Sequence, residues 1–204
     1  MTVFLLIRHG DNDMIAGRRL AGRIPGTSLN ETGHHQASRL ADQLADLPIR
    51  AIYSSPLERT RETARPLAEK LGMPVRTLDE VNEVDFGRWS GRSFDRLPED
   101  PLWRAYNLFR SGTRTPGGEM SIEVQQRMVS VMEKIRQASG QEMVALFSHG
   151  DPIRTAIAHF LGLPLDFIHR LRIDLASVSA IDYGSDAVRV LYVNRTGTAG
   201  RAFF

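Results

Sequence analysis

Three short apolar runs, Val3–Arg8, Ala51–Ser54 and Val144–Phe147, each give way to polar residues and then to a stretch with helical spacing. Runs that stay apolar without alternating predict strands covered on both faces. Strands that alternate with helices restrict the chain to an α/β architecture: three layers of helix, sheet and helix around a largely parallel central sheet. Asn30 stands as an N-cap before Ala37, Leu40, Ala41, Leu44 and Leu47, and Pro56 opens a helix to about Leu71, stopped by Gly72 and Pro74. From Ser121 to about Gln137, the residues Val124, Met128, Val131, Met132 and Ile135 share one face, and a last helix covers about Pro152–Leu161 before Gly162 and Pro164. Val75–Leu78 is a candidate third strand. Ser177–Tyr183 and Val188–Val193, joined around Gly184-Ser185-Asp186, read as a terminal pair able to add one antiparallel strand to a mixed sheet. Segments 11–28 and 79–118 read as irregular, the second with short helical pieces. No repeat or linker interrupts residues 1–204, so a single domain is expected, with a poorly ordered Gly- and Thr-rich tail over Arg195–Phe204.

Composition removes several kinds of chemistry. Cysteine is absent, which excludes disulfides, thiolate nucleophiles and Cys-ligated metals. The pI of 9.3 sits on a nearly balanced 26 basic and 24 acidic side chains, with no block of like charge to suggest a nucleic-acid groove or a membrane patch. Lys70 and Lys134 are the only lysines, so arginine, whose planar fork grips phosphate, supplies nearly all the positive charge. The early run Val3–Ile7 is too short for a membrane span or a signal peptide's apolar core, from which an intracellular, cytoplasmic protein is expected.

The polar residues at the strand ends are of one kind. Arg8-His9-Gly10 follows the first run, Ser54-Ser55-Pro56-Leu57-Glu58-Arg59 the second, and Ser148-His149-Gly150 precedes the last helix. Ligands of open α/β sheets bind outside the carboxyl ends of the strands, where helix N-termini add partial positive charge. Two histidines and two arginines are therefore expected to converge on an anion, and phosphate is the obvious one.

These residues resemble the histidine phosphatase superfamily, with its phosphoglycerate-mutase-like fold. Leu6-Ile7-Arg8-His9-Gly10 is similar to its first-strand signature, and Leu29-Asn30-Glu31-Thr32-Gly33 with Gln36-Ala37 to its first helix opening. Tyr53–Thr60 with Glu62-Thr63-Ala64 resembles the second-strand motif, and Asn82–Gly91 the loop that carries a proton donor. Pro116-Gly117-Gly118-Glu119 and Phe147-Ser148-His149-Gly150, with Ile153-Arg154 behind, complete a set running over residues 3–161.

The resemblance implies a mechanism. His9 is the expected nucleophile, forming a phosphohistidine, with Arg8, Arg59 and His149 clamping the phosphoryl oxygens. That clamp does the work of a metal ion, so neither a metal nor any other cofactor is expected. Glu83 is the expected acid for the leaving oxygen, with Asp85 as the alternative; Glu119 is expected to cap or orient. Trp89 and Phe86 are read mainly as packing, and His34, His35, His159 and His169 as structural or surface residues. The family pattern is broken after Gly10, where Ile15 stands at a customary phosphate-contacting Asn; Asn12 is the candidate substitute. Asp151, an added carboxylate beside the anion site, is expected to repel highly charged substrates if it faces inward.

The leading expectation is thus a metal-independent phosphatase acting on a small phosphorylated metabolite. A phosphoglycerate-mutase-type phosphotransferase is the nearest alternative, although the compact segment 92–118 favours a hydrolase. A non-catalytic phospho-ligand binder on the same fold is the third. No nucleic-acid or membrane partner is expected, and monomer and homodimer both remain open.

Overall fold

Phe4, Leu5, Leu6 and Ile7 are all fully buried in the computed structural model, which describes residues 1–138, 140 and 142–197. They lie on β1 (Thr2–Arg8), and alternate side chains enter two different cores. Phe4 and Leu6 pack with Met132 and Ile135 of the helix Ser121–Ala138 and with Ile153 and Ile157 of the helix Gly150–Leu161. Leu5 and Ile7 pack with Leu40 and Leu44 of Glu31–Leu44 and with Ala64 and Leu67 of Glu58–Leu71. One strand therefore feeds both faces of the sheet, which is why its sequence shows no alternation. Each such side chain contributes roughly 1.5–3 kcal/mol by leaving water.

The six-stranded sheet has the order β3-β2-β4-β1-β5-β6, with β2 at Ile49–Ser54, β3 at Val75–Thr77, β4 at Met143–Ser148, β5 at Val178–Tyr183 and β6 at Val188–Arg195. β1 to β4 are mutually parallel, and β5 runs antiparallel to both β1 and β6. The result is the three-layer α/β/α fold with a mixed sheet that the strand pattern predicts, including its one antiparallel strand. The buried apolar face of Ser121–Ala138 is Val124, Met128, Val131, Met132 and Ile135, as expected, the last four packing on the sheet.

Local differences have local causes. The second long helix begins at Glu58 rather than Pro56, because Leu57 stays extended (φ −70°, ψ 143°) and its N–H donates to Ser55 Oγ. Segment 11–28 contains a short helix, Asp13–Ala16, capped by the Asn12 side chain. Segment 79–118 is irregular but not coreless: Leu20, Val84, Phe86, Trp89, Leu97, Tyr106 and Val124 form a third cluster under it. Trp89 is packing there, and its Nε1–H donates to Asp100 Oδ2 at 2.9 Å. The tail expected to be poorly ordered continues β6 through Arg195, and residues 198–204 lie outside those described. No helix among the described residues is long and apolar enough to cross a membrane.

Candidate active site

The register of the three central strands brings their ends level. Arg8 pairs with Ser148, Ser54 with Phe147, and the N–H groups of His9 and Ser55 donate to the carbonyls of Ser148 and Phe147. The His9 and His149 rings consequently lie 5.2 Å apart between centroids. Gly33 fixes the loop behind His9: a Cβ there would collide with the Asp11 carbonyl, so the helix Glu31–Leu44 approaches this closely only with glycine.

His9 is 2% exposed and its Nδ1 lies 2.7 Å from its neighbour's carbonyl, Gly10 O. A carbonyl only accepts, so Nδ1 carries the proton and Nε2 of the neutral ring presents its lone pair. Burial, then Arg59 and Arg8, hold the imidazole well below its ordinary value of 6.5, which keeps that lone pair available. His149 is fully buried, with Nε2 2.8 Å from Ser55 Oγ. Ser55 donates onward to Asn82 Oδ1, so His149 Nε2 is the donor and its Nδ1 has no hydrogen-bond partner among the described residues, lying 3.9 Å from Glu83 Oε2.

The arginines are held by one end each. Arg8 Nη1 donates to Ile173 O at 2.6 Å and Arg59 Nη2 to Gly22 O at 2.7 Å. Arg8 Nε, Arg59 Nε and Nη1, and Asn12 Nδ2 are buried donors with no hydrogen-bond partner among the described residues. Buried donors left unpaired are costly, and a cluster of cationic ones is what an anion would satisfy. Asn12 is half committed, since its Oδ1 caps Asp13–Ala16 and only its amide nitrogen remains for a ligand.

Glu83 reaches the site from the loop after the short turn Asp79–Val81. Ser148 Oγ anchors that turn by donating to Val81 O at 2.7 Å. Burial, with Asp151 nearby, raises the Glu83 carboxyl to about 7 against the opposing pull of Arg59 and Arg8. Its backbone is clamped: Arg23 Nε and Arg127 Nη2 donate to the Glu83 carbonyl at 2.8 and 3.0 Å, and both guanidinium groups bind the Glu119 carboxylate. Glu119 thus orients the loop, in line with the expectation for it. Asp85 uses its carboxylate to accept from Gly87 N–H within the loop.

Beside Arg8 and Glu83 opens a cavity of about 280 Å³ that the sequence alone did not outline. Phe86 and Trp103 line it, as do Arg110, Asp151, Arg154 and His169. His169, read from sequence as structural or surface, is therefore a cavity residue; its Nε2 lies 3.1 Å from Asn107 Oδ1. Asp151 faces the cavity but is not bare: burial opposes its ionisation, yet Arg110 and Arg154 overcome this and hold its carboxyl far below the usual range. No cluster of three or more His, Asp or Glu side chains suited to a metal occurs among the described residues.

Known proteins resemble the chain at both levels. The family description "Histidine phosphatase superfamily (branch 1)" matches residues 4–196. A bifunctional protein of Mycobacterium tuberculosis is 36% identical over 200 residues, covering 96% of this chain and 54% of that protein, so the chain spans about half the length of that relative. A probable phosphoglycerate mutase of Photorhabdus laumondii is 34% identical over 180 residues, 87% of this chain and 83% of the other. The solved structure of a mycobacterial glucosyl-3-phosphoglycerate phosphatase superposes with a TM-score of 0.86 at 26% identity, covering 94% of this chain and 98% of that one.

Proposed function

Because the chain belongs to the histidine phosphatase superfamily, branch 1, we propose that it hydrolyses a phosphomonoester of a small metabolite, without a metal, through a phosphohistidine on His9. The observation that carries this reading is the His9 tautomer: Nδ1 is bound to Gly10 O, and Nε2 is the lone pair beside the unpaired donors of Arg8 and Arg59. The same reading treats residues 1–204 as one histidine phosphatase domain.

In the first step the His9 Nε2 lone pair forms the N–P bond while the bond from phosphorus to the leaving oxygen breaks. Protonated Glu83 gives its proton to that oxygen, and the alcohol departs. In the second step the Glu83 carboxylate takes a proton from water as the water oxygen attacks phosphorus and the N–P bond breaks. Inorganic phosphate leaves, and both residues return to their starting states. A group near 7 serves both directions of transfer at neutral pH. Arg8 and Arg59 hold the equatorial charge throughout, which is the work a metal ion does in other phosphoryl-transfer sites. His149 joins them as its free Nδ1 takes up a proton beside a dianion, whose charge opposes the lowering by burial and Arg59.

The relative named as a probable phosphoglycerate mutase favours a second reading, in which the phosphoryl group on His9 returns to an organic acceptor instead of water. Hydrolysis of p-nitrophenyl phosphate in excess EDTA, wild type beside His9→Ala, separates these. EDTA-resistant turnover that falls at least a thousandfold in His9→Ala, with acid-labile phosphate trapped on the wild type, is the expected result. Folded wild type that is inactive on this ester but isomerises phosphoglycerates would replace the phosphatase reading with the mutase one.

A further inference from the structure

The cavity beyond the phosphoryl site has two unlike walls. Leu20, Phe86 and Trp103 make one side apolar, and Arg110, Asp151 and Arg154 make the other ionic. Asp151 bridges its two partners, accepting from Arg110 Nη1 at 2.7 Å and from Arg154 Nη1 at 2.8 Å. The two arginines are not equivalent. The Arg110 side chain is 3% exposed, lies 4.3 Å over the Tyr106 ring and donates from Nη2 to Asn107 Oδ1. The Arg154 side chain is 19% exposed, spends Nε on Leu171 O, and keeps an Nη2 that makes no hydrogen bond among the described residues. Gly150 lets it sit beside Arg8, since a Cβ there would come within 3.1 Å of Arg154 Nη1 and 3.5 Å of Arg8 Nε.

Charge decides what fits. With Glu83 in the acid form that the first step uses, and Arg8 and Arg59 committed to the phosphoryl group, the two guanidinium groups and the Asp151 carboxylate leave a single positive charge. His169 adds none at neutral pH, as burial and Arg110 lower its pKa. A monoanion matches that excess. A dianion would carry one charge unmatched into an enclosed site, with the Asp151 carboxylate facing it, and lose more hydration than it regains.

We propose that this cavity receives a leaving alcohol with an apolar body and one carboxylate, bound through Arg154, and that Asp151 excludes esters bearing a second phosphoryl group. The inference rests on the phosphatase reading for what occupies the His9 end. It also bears on the mutase alternative, because an enzyme that returns its phosphoryl group to a phosphorylated product must hold a doubly phosphorylated molecule during turnover.

The test uses one ring with rising charge: phenyl phosphate, 4-carboxyphenyl phosphate and 1,4-phenylene bisphosphate. Binding is measured by calorimetry on His9→Ala, so the outcome does not depend on turnover, and hydrolysis by the intact protein remains the separate test of the phosphatase reading. The carboxyphenyl ester is expected to bind about tenfold tighter than phenyl phosphate, and tighter than the bisphosphate. Adding Asp151→Asn should raise bisphosphate affinity about tenfold relative to phenyl phosphate, and adding Arg154→Gln should erase the carboxyl preference. The partly exposed Arg154 supplies the decisive variant if Asp151→Asn does not fold. Tightest binding of the bisphosphate to the unaltered cavity, a bisphosphate-to-phenyl ratio unmoved by Asp151→Asn, a carboxyl preference that survives Arg154→Gln, or failure of all three probes to bind overturns the proposal.

Discussion

His9 and His149 hang from β1 and β4, neighbouring strands at the middle of the sheet whose adjacent residues Ile7 and Phe147 are wholly buried. Glu83 hangs instead from a loop, and Asp151 and Arg154 from the first turns of the helix Gly150–Leu161, with both groups tied by guanidinium–carboxylate contacts: Arg23 and Arg127 on Glu119, Arg110 and Arg154 on Asp151. The first half is positioned by close-packed apolar side chains, which permit little adjustment. Ion pairs position the second, and a few substitutions can rearrange them. On the proposed reading the contrast separates two tasks: the strand ends act on phosphorus, and the ion-paired half selects the alcohol that leaves.

Arg59→Lys attacks the rigid half directly. Arg59 is fully buried with two nitrogens that lack hydrogen-bond partners among the described residues, and a point charge cannot reproduce its fork. We expect kcat/KM for p-nitrophenyl phosphate to fall about 100- to 1,000-fold; a loss under tenfold would mean that the strand-end half tolerates as much change as the loops do.

Glu83→Gln tests the loop half by leaving group. Alkyl phosphates should lose about 100-fold, p-nitrophenyl phosphate much less, because its departing oxygen needs little protonation. The pH profile carries the sign. In the proposed mechanism phosphorylation of His9 needs the acid form of Glu83, so wild-type activity on alkyl esters should decline as pH rises through about 7, and the variant should lack that limb. A carboxyl raised from 4.5 to about 7 on folding also costs stability progressively as pH climbs through that window. Glu83→Gln should therefore melt a few degrees higher than wild type at pH 8 and not at pH 4. Equal losses on both ester types would move the acid role to another residue, with Asp85 the first candidate.

The smallest effect is expected from Glu119→Gln, which touches no substrate in this scheme and weakens the grip of Arg23 and Arg127. A loss of about tenfold on alkyl esters, with the basic limb of the pH profile displaced and KM for p-nitrophenyl phosphate little changed, would mark it as a positioning residue. A uniform loss on every ester with an unshifted limb would reduce it to general structural support.

How much of this was legible in the sequence follows the same division. Arg8, His9, Arg59 and His149 could be placed together because continuous apolar runs announce central strands, and parallel strands bring their ends to one edge. The five-residue face of Ser121–Ala138 and the Asn30 cap were equally readable, being local patterns. The clamp on Glu83 was not, since Arg23 and Glu119 stand far apart in irregular segments and no periodicity relates them. His169 escaped for the same reason: it lies in the turn Leu165–Arg170, and only tertiary packing turns that element toward Asn107. Asp151 was visible as an unusual neighbour of His149, but its paired state depends on Arg110, which sequence gives no reason to bring there.

The pairing of β1 with β4 also sets when a working site can exist. Val3 lies opposite Met143, about 140 residues away along the chain, and His9 meets His149 only once that pairing has closed. Contacts so remote in sequence form slowly, after a large loss of chain freedom. During synthesis, a nascent chain that has exposed every residue through Arg59 still has no partner strand for β1, which carries His9 at its end. Catalytic competence should therefore arrive late and abruptly, after most of the polypeptide has left the ribosome, and its recovery during refolding should track completion of the sheet rather than formation of the helices.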